Sequence, residues 1–402
     1  MDADDTGAMT KPMRVAIVSE TYPPEVNGVA LTVQALEHGL RTRGHLVELI
    51  RPRRNDEAAL DCAEQLRLPS VPLPRYPGLR MGLLAGRRLR ARWQQQRPDA
   101  LYIATEGPLG ASALTVARQL GIPVSTGFHT RFDEYAARYG LGFLRGVVFA
   151  WLRRFHNRAE TTLVPTRELA QFLGAQGFAD VTVLRRAVDT THFHPARRSP
   201  GLRALWGADA DTPVLIHVGR IAPEKNLSLA VRAFRRVQHA QPHARMVWVG
   251  DGPDRAALAA AHPDFVFCGV QRGEALARHF ASADLFVFPS LSETFGNVTL
   301  EAMASGLATV AFDTGAAREH LRDGAHGAAI AVNDADAFIA ATVALAGDLA
   351  SSRWMGSAAR EAVAQLAPET VSARFEQVLR ELIARRARVV PAWPATPDRR
   401  RP

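Results

Sequence analysis

The chain has 402 residues, 47% of them hydrophobic and 22% charged, which excludes a disordered or low-complexity protein and is too long for one ordinary core. Its formal charge is +9, and the longest apolar run, LGFLRGVVFAWL, is broken by Arg145, well short of the ~20 residues of a membrane span. Two distant cysteines, Cys62 and Cys268, fit no disulfide or metal pattern and point to a reducing, cytoplasmic setting.

The opening stretch MDADDTGAMTKP, residues 1–12, is polar, has no signal-peptide pattern and reads as a disordered tail. Short apolar runs then alternate with amphipathic stretches, the pattern of βαβ units around a parallel sheet. Strands are expected at RVAIVSE (14–20), LVELIRP (46–52), ALYIAT (100–105), PVSTGFH (123–129), TTLVP (161–165) and VTVL (181–184). A helix is expected from Asn27 to Arg43, with Asn27 as N-cap and Gly44 closing it. Residues 185–200 carry no period and read as a linker. A second series follows: PVLIHVG (213–219), RMVWVG (245–250), DFVFCG (264–269), DLFVFPS (284–290) and ATVAF (308–312) as strands. Helices are expected near 226–239, 253–261, 273–281 and 295–304, and 334–387 is mostly helical. The expected division is a domain at 13–190, a second at 191–366, a helix at 367–387 returning to the first, and a basic tail at 388–402.

Ligands of open α/β sheets bind beyond the carboxyl ends of the strands, so the residues there are the candidates. After the first strand comes ETYPPEVNGVA, where Gly28 lies at a helix start and lets a ligand approach the backbone, or simply makes a turn. There is no GxGxxG and no acid in the dinucleotide position, which disfavours NAD, and no Walker sequence, which excludes a P-loop NTPase. His129, in GFHTRFDEY, leaves a strand end and serves either as a ligand contact or as a structural histidine. In VGRIAPEKN, Arg220 and Lys225 flank a turn and suit a pyrophosphate, one as a planar fork and one as a point charge. Lys225 stands out because only one other lysine, Lys11, occurs among 49 basic residues.

In SETFGNVTLEAMASG, Phe295, Gly296, Asn297 and Val298 offer helix-start amides to an anion. Glu293 precedes them in the loop, and Glu301 follows at ~8–9 Å along the axis from Phe295. A ligand with sugar, diphosphate and ribose in series fits that order, because carboxylates accept hydrogen bonds from paired hydroxyls. The ligand is therefore expected to be a nucleotide sugar. Acidic DAD triplets at Asp2, Asp209 and Asp334 follow no strand, so no metal and no other cofactor is expected, and leaving-group charge falls to Arg220, Lys225 and helix dipoles.

These stretches, in their order, resemble the retaining glycosyltransferases of family 4 over roughly residues 13 to 385, and within it the bacterial GDP-mannose-dependent α-mannosyltransferases and nearby glycolipid glycosyltransferases. The resemblance implies the GT-B fold, an α/β architecture of two Rossmann-like, doubly wound parallel-sheet domains facing a central cleft. It implies metal-independent hexosyl transfer with retention, from a GDP- or UDP-sugar to a lipid-linked or glycan acceptor. It places Arg220 and Lys225 on the diphosphate, Glu293 on the sugar, Glu301 on the ribose and Val270 along the base. His129 would contact the donor sugar near the reacting centre, and Gly28 with Gly296 to Val298 would lie near the diphosphate and sugar. Tyr22, Asn27, Thr130, Arg131 and Tyr135 would face the acceptor. Arg186–Ala187–Val188–Asp189 departs from the NGVD that many members carry.

From Gln65 to Pro98 there are eight arginines and no acid. RYPGLRMGLLAGRRLRARWQQQR either lies peripherally on an anionic inner membrane face or covers the sheet with arginines outward. Nucleic acid is not expected as a partner, since no recognised motif or aromatic platform accompanies the charge. A sugar-nucleotide epimerase and a noncatalytic sugar-nucleotide sensor are the rival readings.

Overall fold

The computed structural model describes residues 11–389 apart from 26, 55–56, 58–61, 63, 73–79, 130–144, 292 and 294. It divides into two compact units: residues up to Leu184 together with those from Val371 onward, and Arg185–Thr370.

The first unit is built on a parallel sheet of β1 (Arg14–Val18), β2 (Leu46–Pro52), β3 (Gln65–Leu68), β6 (Ala100–Ile103), β7 (Val124–Gly127), β8 (Thr161–Val164) and β9 (Val181–Val183). Its strand order is β3-β2-β1-β6-β7-β8-β9, so the order reverses between β1 and β6. Val15, Ala16, Ile17 and Val18 are all fully buried, as expected of a strand covered on both faces. Helix α1 (Gly28–Thr42) follows β1, and Asn27 caps it by accepting from the amides of Val29 at 3.1 Å and Ala30 at 2.9 Å. The long C-terminal helix, Pro368–Val389, belongs to this unit and buries Phe375, Val378, Leu379 and Leu382. Its Glu376 pairs with Arg43, the residue that closes α1 before β2.

The second unit has β10 (Val214–Val218), β11 (Arg245–Val249), β12 (Val266–Phe267), β13 (Leu285–Phe288), β14 (Ala308–Phe312) and β15 (Gly327–Ile330), all parallel, in the order β12-β11-β10-β13-β14-β15. The reversal falls between β10 and β13, which pair through Leu215 with Leu285 and Ile216 with Phe286. One face is filled by Trp248, Phe234, Phe312 and Phe338, the other by Phe280, Phe286 and Phe288.

The sequence reading places no strand between 53 and 99, whereas β3 lies there with a hairpin of β4 (Ser70–Pro72) and β5 (Arg80–Gly82). These strands run three or four residues, too short for a period to register. β15 also escaped it: GAAI has weak strand propensity and is held by pairing with β14. The arginine-rich stretch contains a helix, Gly86–Gln95, that buries Leu89 and Trp93 against the sheet. Arg92 is engaged by Glu48 at 2.6 Å and Arg90 by Gln119, while Arg87 and Arg88 stay exposed beside the exposed Leu83 and Leu84. Among the described residues no single helix is long and apolar enough to cross a membrane.

Candidate functional site

Strand order brings the loop after β10 beside the loop after β13, because those two strands are neighbours at the reversal. Gly219 leaves β10, a short 3-10 turn spans Pro223–Lys225, and Asn226 takes the left-handed conformation at φ 53° before the helix Leu227–Ala240. On the other side Pro289 to Gly296 lead from β13 into helix Asn297–Ala304.

Lys225 Nζ reaches across to Glu293 Oε1, and the two side chains are only 15% and 14% exposed. Ser290 Oγ donates to the same carboxylate oxygen at 2.8 Å, and the ammonium lies 5.4 Å over the Phe288 ring. Behind it His217 is fully buried: Nδ1 faces the Val287 carbonyl at 3.1 Å, and Nε2 has no partner among the described residues. Burial, with the nearby Lys225 charge, pushes His217 down to about 4, so its ring is neutral. Arg220 points outward, its side chain 60% exposed, with Glu224 at 3.4 Å. An exposed pair of this kind contributes little to stability and leaves the guanidinium available.

The helix that carries Glu301 begins two residues later than the sequence suggests. Gly296 adopts φ 86°, a left-handed conformation that no helical residue takes, and serves as N-cap. Phe295 therefore offers no helix-start amide. Its ring is buried with Val188, Leu300 and Met303, and its carbonyl accepts from Ala316 at 2.6 Å. A side chain at Gly296 would also lie 3.4 Å from Glu293, so the glycine brings backbone and carboxylate close together. Asn297 and Val298 stand at the first helical positions, where amides lack intrahelical acceptors. Glu301, one turn further in, is half-buried, and desolvation pushes its carboxyl up to about 7. Val270 lies exposed past β12, beside Gly269, whose carbonyl accepts from Gly250 at 2.8 Å.

In the first unit Gly28 is the first residue of α1. The acceptor candidates beside it are engaged in the fold: Tyr22 donates to Glu37 at 2.5 Å, and Asn27 Nδ2 donates to Thr21 at 2.7 Å while its oxygen caps the helix. Thr130, Arg131 and Tyr135 lie outside the described residues. His129 follows β7 and meets the Tyr102 hydroxyl through Nε2 at 2.7 Å. Sequence reading missed Tyr102, Ser290, Phe288 and His217. The signal for the last three was their place at the ends of β10 and β13; Tyr102 looked like one more apolar strand residue.

The structure thus unites Lys225, Glu293 and Gly296 in one unit and places His129 with Tyr102 in the other. The arrangement offers carboxylates to hydroxyls, and a cation and helix-start amides to an anion.

Two family descriptions match the chain: "Glycosyltransferase Family 4" over residues 26–192 and "Glycosyl transferases group 1" over residues 212–348. The chain is 38% identical to a GDP-mannose-dependent alpha-mannosyltransferase of Mycobacterium tuberculosis, over 76% of this chain and 81% of that one. It is 33% identical to a sulfoquinovosyl transferase of Arabidopsis thaliana, over 77% of this chain and 62% of that one. Its fold resembles that of a sucrose-phosphate synthase from Thermosynechococcus elongatus, with a TM-score of 0.74 at 18% identity, covering 93% of this chain and 100% of that one.

Proposed function

The chain belongs to the family 4 glycosyltransferases, and from that membership we propose that it moves mannose from GDP-mannose, with retention, to a hydroxyl of a lipid-linked or glycolipid acceptor. The observation that carries this reading is the preformed Lys225–Glu293–Ser290 group beside the helix start at Gly296, with the Glu301 carboxyl one turn beyond. In it Glu293 accepts from sugar hydroxyls, Lys225 and Arg220 hold the diphosphate, Asn297 and Val298 bind phosphate oxygens through their amides, and Glu301 takes the ribose diol. Val270 borders the base, Gly28 approaches the donor by its amide, and His129 contacts the sugar.

The acceptor hydroxyl attacks from the face that the diphosphate leaves. A departing phosphate oxygen takes the hydroxyl proton, and the two cations stabilise the developing charge without a metal ion. Likeness to the mannosyltransferase of Mycobacterium tuberculosis supports mannose and GDP. Likeness to the sulfoquinovosyl transferase supports a second reading, a lipid glycosyltransferase that uses a UDP-sugar. Peripheral contact with an anionic membrane face rests on Arg87 and Arg88 beside Leu83 and Leu84, all exposed.

The test incubates the protein with GDP-mannose or UDP-glucose and a bacterial lipid extract, without added metal, and follows nucleotide release and lipid products. A mannosylated lipid of α configuration is expected from GDP-mannose alone. Turnover of the UDP-sugar only would establish the second reading, and isomerised donor without acceptor would make the protein an epimerase. Sedimentation with anionic liposomes, lost at high salt, is the expected behaviour for the membrane contact.

A further inference from the structure

A second cavity lies in the first unit, beyond the carboxyl ends of β2 and β3, the side of an open sheet on which ligands bind. Arg53 and Arg54 reach it from the end of β2, Pro69 and Ser70 from the end of β3, and Arg80 from β5. Together with Glu57 they line a volume of about 390 Å³. The hairpin register fixes Arg80: Ser70 pairs with Gly82 and Pro72 with Arg80, and Glu20 holds the Gly82 amide at 2.5 Å.

Glu57 is the one acid among the described lining residues, and it is already engaged. The buried Arg51 grips both its oxygens, with Nη1 at 2.8 Å and Nη2 at 2.5 Å, and the Arg54 amide adds a bond at 3.1 Å. The Arg51 fork holds its carboxyl down to about 2. Arg80 turns Nε and Nη2 onto Ser70, to Oγ at 2.7 Å and to the carbonyl at 2.9 Å, and Ser70 Oγ donates to the Arg53 carbonyl at 2.6 Å. Those bonds fix one edge of the Arg80 guanidinium and leave Nη1 without a partner among the described residues; the exposed Arg53 side chain has none there either. A guanidinium fork matches a carboxylate or a phosphate. The cavity also adjoins the loop that carries Tyr22 and Asn27. Burial raises the carboxyl of Glu25 in that loop, and Thr21 with the Arg54 and Arg51 charges opposes the rise.

We propose that this cavity binds an oxyanion, phosphate or carboxylate, carried by the headgroup of the acceptor, with Arg53 and Arg80 as its donors. The proposal rests on the reading of the chain as a transferase to a lipid or glycan hydroxyl, and it narrows that acceptor to an acidic one.

The test takes the full chain with GDP at saturation and titrates sn-glycerol 3-phosphate and glucuronate, with glycerol and glucose as uncharged controls. At least one of the two anions is expected to raise Tm, and Arg53→Gln and Arg80→Gln are each expected to weaken its binding ~10-fold. Arg80→Gln also releases Ser70, so Arg53→Gln is the deciding variant. No response to either anion, or binding equal in wild type and Arg53→Gln, would overturn the site. With labelled GDP-mannose and a bacterial lipid extract split into acidic and neutral fractions, product is expected from the acidic fraction, and phosphorus in it separates phosphate from carboxylate. In Arg53→Gln the acceptor KM should rise ~10-fold with donor KM within ~2-fold. Transfer to neutral lipids alone, or an unchanged acceptor KM in Arg53→Gln, would overturn the assignment to the acceptor. If no lipid receives sugar while anion binding still depends on Arg53, the oxyanion site stands and the transfer reading fails.

Discussion

The two sheets reverse their strand order at the same point, yet the acids beside the two reversals meet opposite fates. In the first unit Glu20 leaves β1 and is closed in by the fold: it accepts from the amides of Gly82 at 2.5 Å and Leu109 at 3.0 Å. Asn27 and Tyr22 beside it are likewise engaged. In the second unit Glu301 is desolvated, and no hydrogen bond to its carboxyl is seen among the described residues; burial alone accounts for its raised pKa. Desolvation without a compensating hydrogen bond disfavours the charged form of a carboxyl. The same topology therefore yields a carboxylate held by backbone amides in one unit and, in the other, a half-buried carboxyl with no such bond among the described residues.

The sharpest test of that contrast is the pair at the second reversal. Lys225→Ala and Glu293→Ala are each expected to lower transfer ~10²-fold or more with the protein still folded, because the first removes a cation from the developing diphosphate charge and the second removes the acceptor that orients the sugar hydroxyls. Each also strands its partner at about 15% exposure, so Tm should fall in both. Lys225→Ala,Glu293→Ala should recover part of that Tm without recovering turnover. Near-normal turnover in either single variant would end the contrast, since the pair would then be no more than fold.

Glu301→Gln comes next, and two measurements on it should move in opposite directions. The donor KM should rise ~10-fold, because an amide accepts a diol less well than a carboxylate. Stability should rise instead. The folded-state pKa of about 7 lies above the ordinary 4.5, so the penalty is absent below ~pH 4.5, grows as the pH rises towards 7, and is complete above it. The variant should match the wild type in stability near pH 4.5 and exceed it at pH 8, by on the order of 1–3 kcal/mol of unfolding free energy, with a correspondingly higher Tm. By the same ionisation, donor affinity of the wild type should weaken as the pH falls through 7. A Tm gain that ignores pH would remove the desolvated carboxylate from the account.

Much of this was legible beforehand. Strands such as VAIV and LFVF are uniformly apolar, and alternation with amphipathic stretches requires parallel sheets, so both doubly wound units and the loops carrying Arg220, Lys225, Glu293 and Glu301 follow from local pattern. What local pattern does not carry is adjacency across the sheet. Lys225 and Glu293 lie far apart in sequence and meet only because β10 pairs with β13. Gly296 was read as one of four residues offering helix-start amides, and only its left-handed φ shows that it stops the helix from starting at Phe295. Tyr102 was invisible for the opposite reason: on a fully buried strand an aromatic residue whose hydroxyl meets His129 looks like any other core side chain.

Glu20 provides the control for Glu301. Glu20→Gln replaces an acceptor of two amide bonds with a group that can turn an N–H towards an N–H donor, so it should lose ~1–3 kcal/mol of stability. Donor KM should stay within ~2-fold, since the groups it holds belong to the fold of the first unit. Urea unfolding beside donor kinetics separates the two effects. A KM change as large as that of Glu301→Gln would mean that the first reversal is no more closed to the donor than the second.

The smallest effect is expected at Asn27, and it bears most directly on how the first crevice works. Its oxygen accepts from two helix-start amides and its nitrogen donates to Thr21, so the side chain reads as a cap. Loss of such a cap costs ~1 kcal/mol. Asn27→Ala should therefore lower Tm by a few degrees, and Asn27→Asp, which keeps the accepting oxygen, should recover most of it. Acceptor KM should barely change in either variant. If Asn27→Asp restores Tm but acceptor KM stays several-fold high in both, the lost amide N–H was serving the acceptor, and the first reversal would be open to a ligand after all.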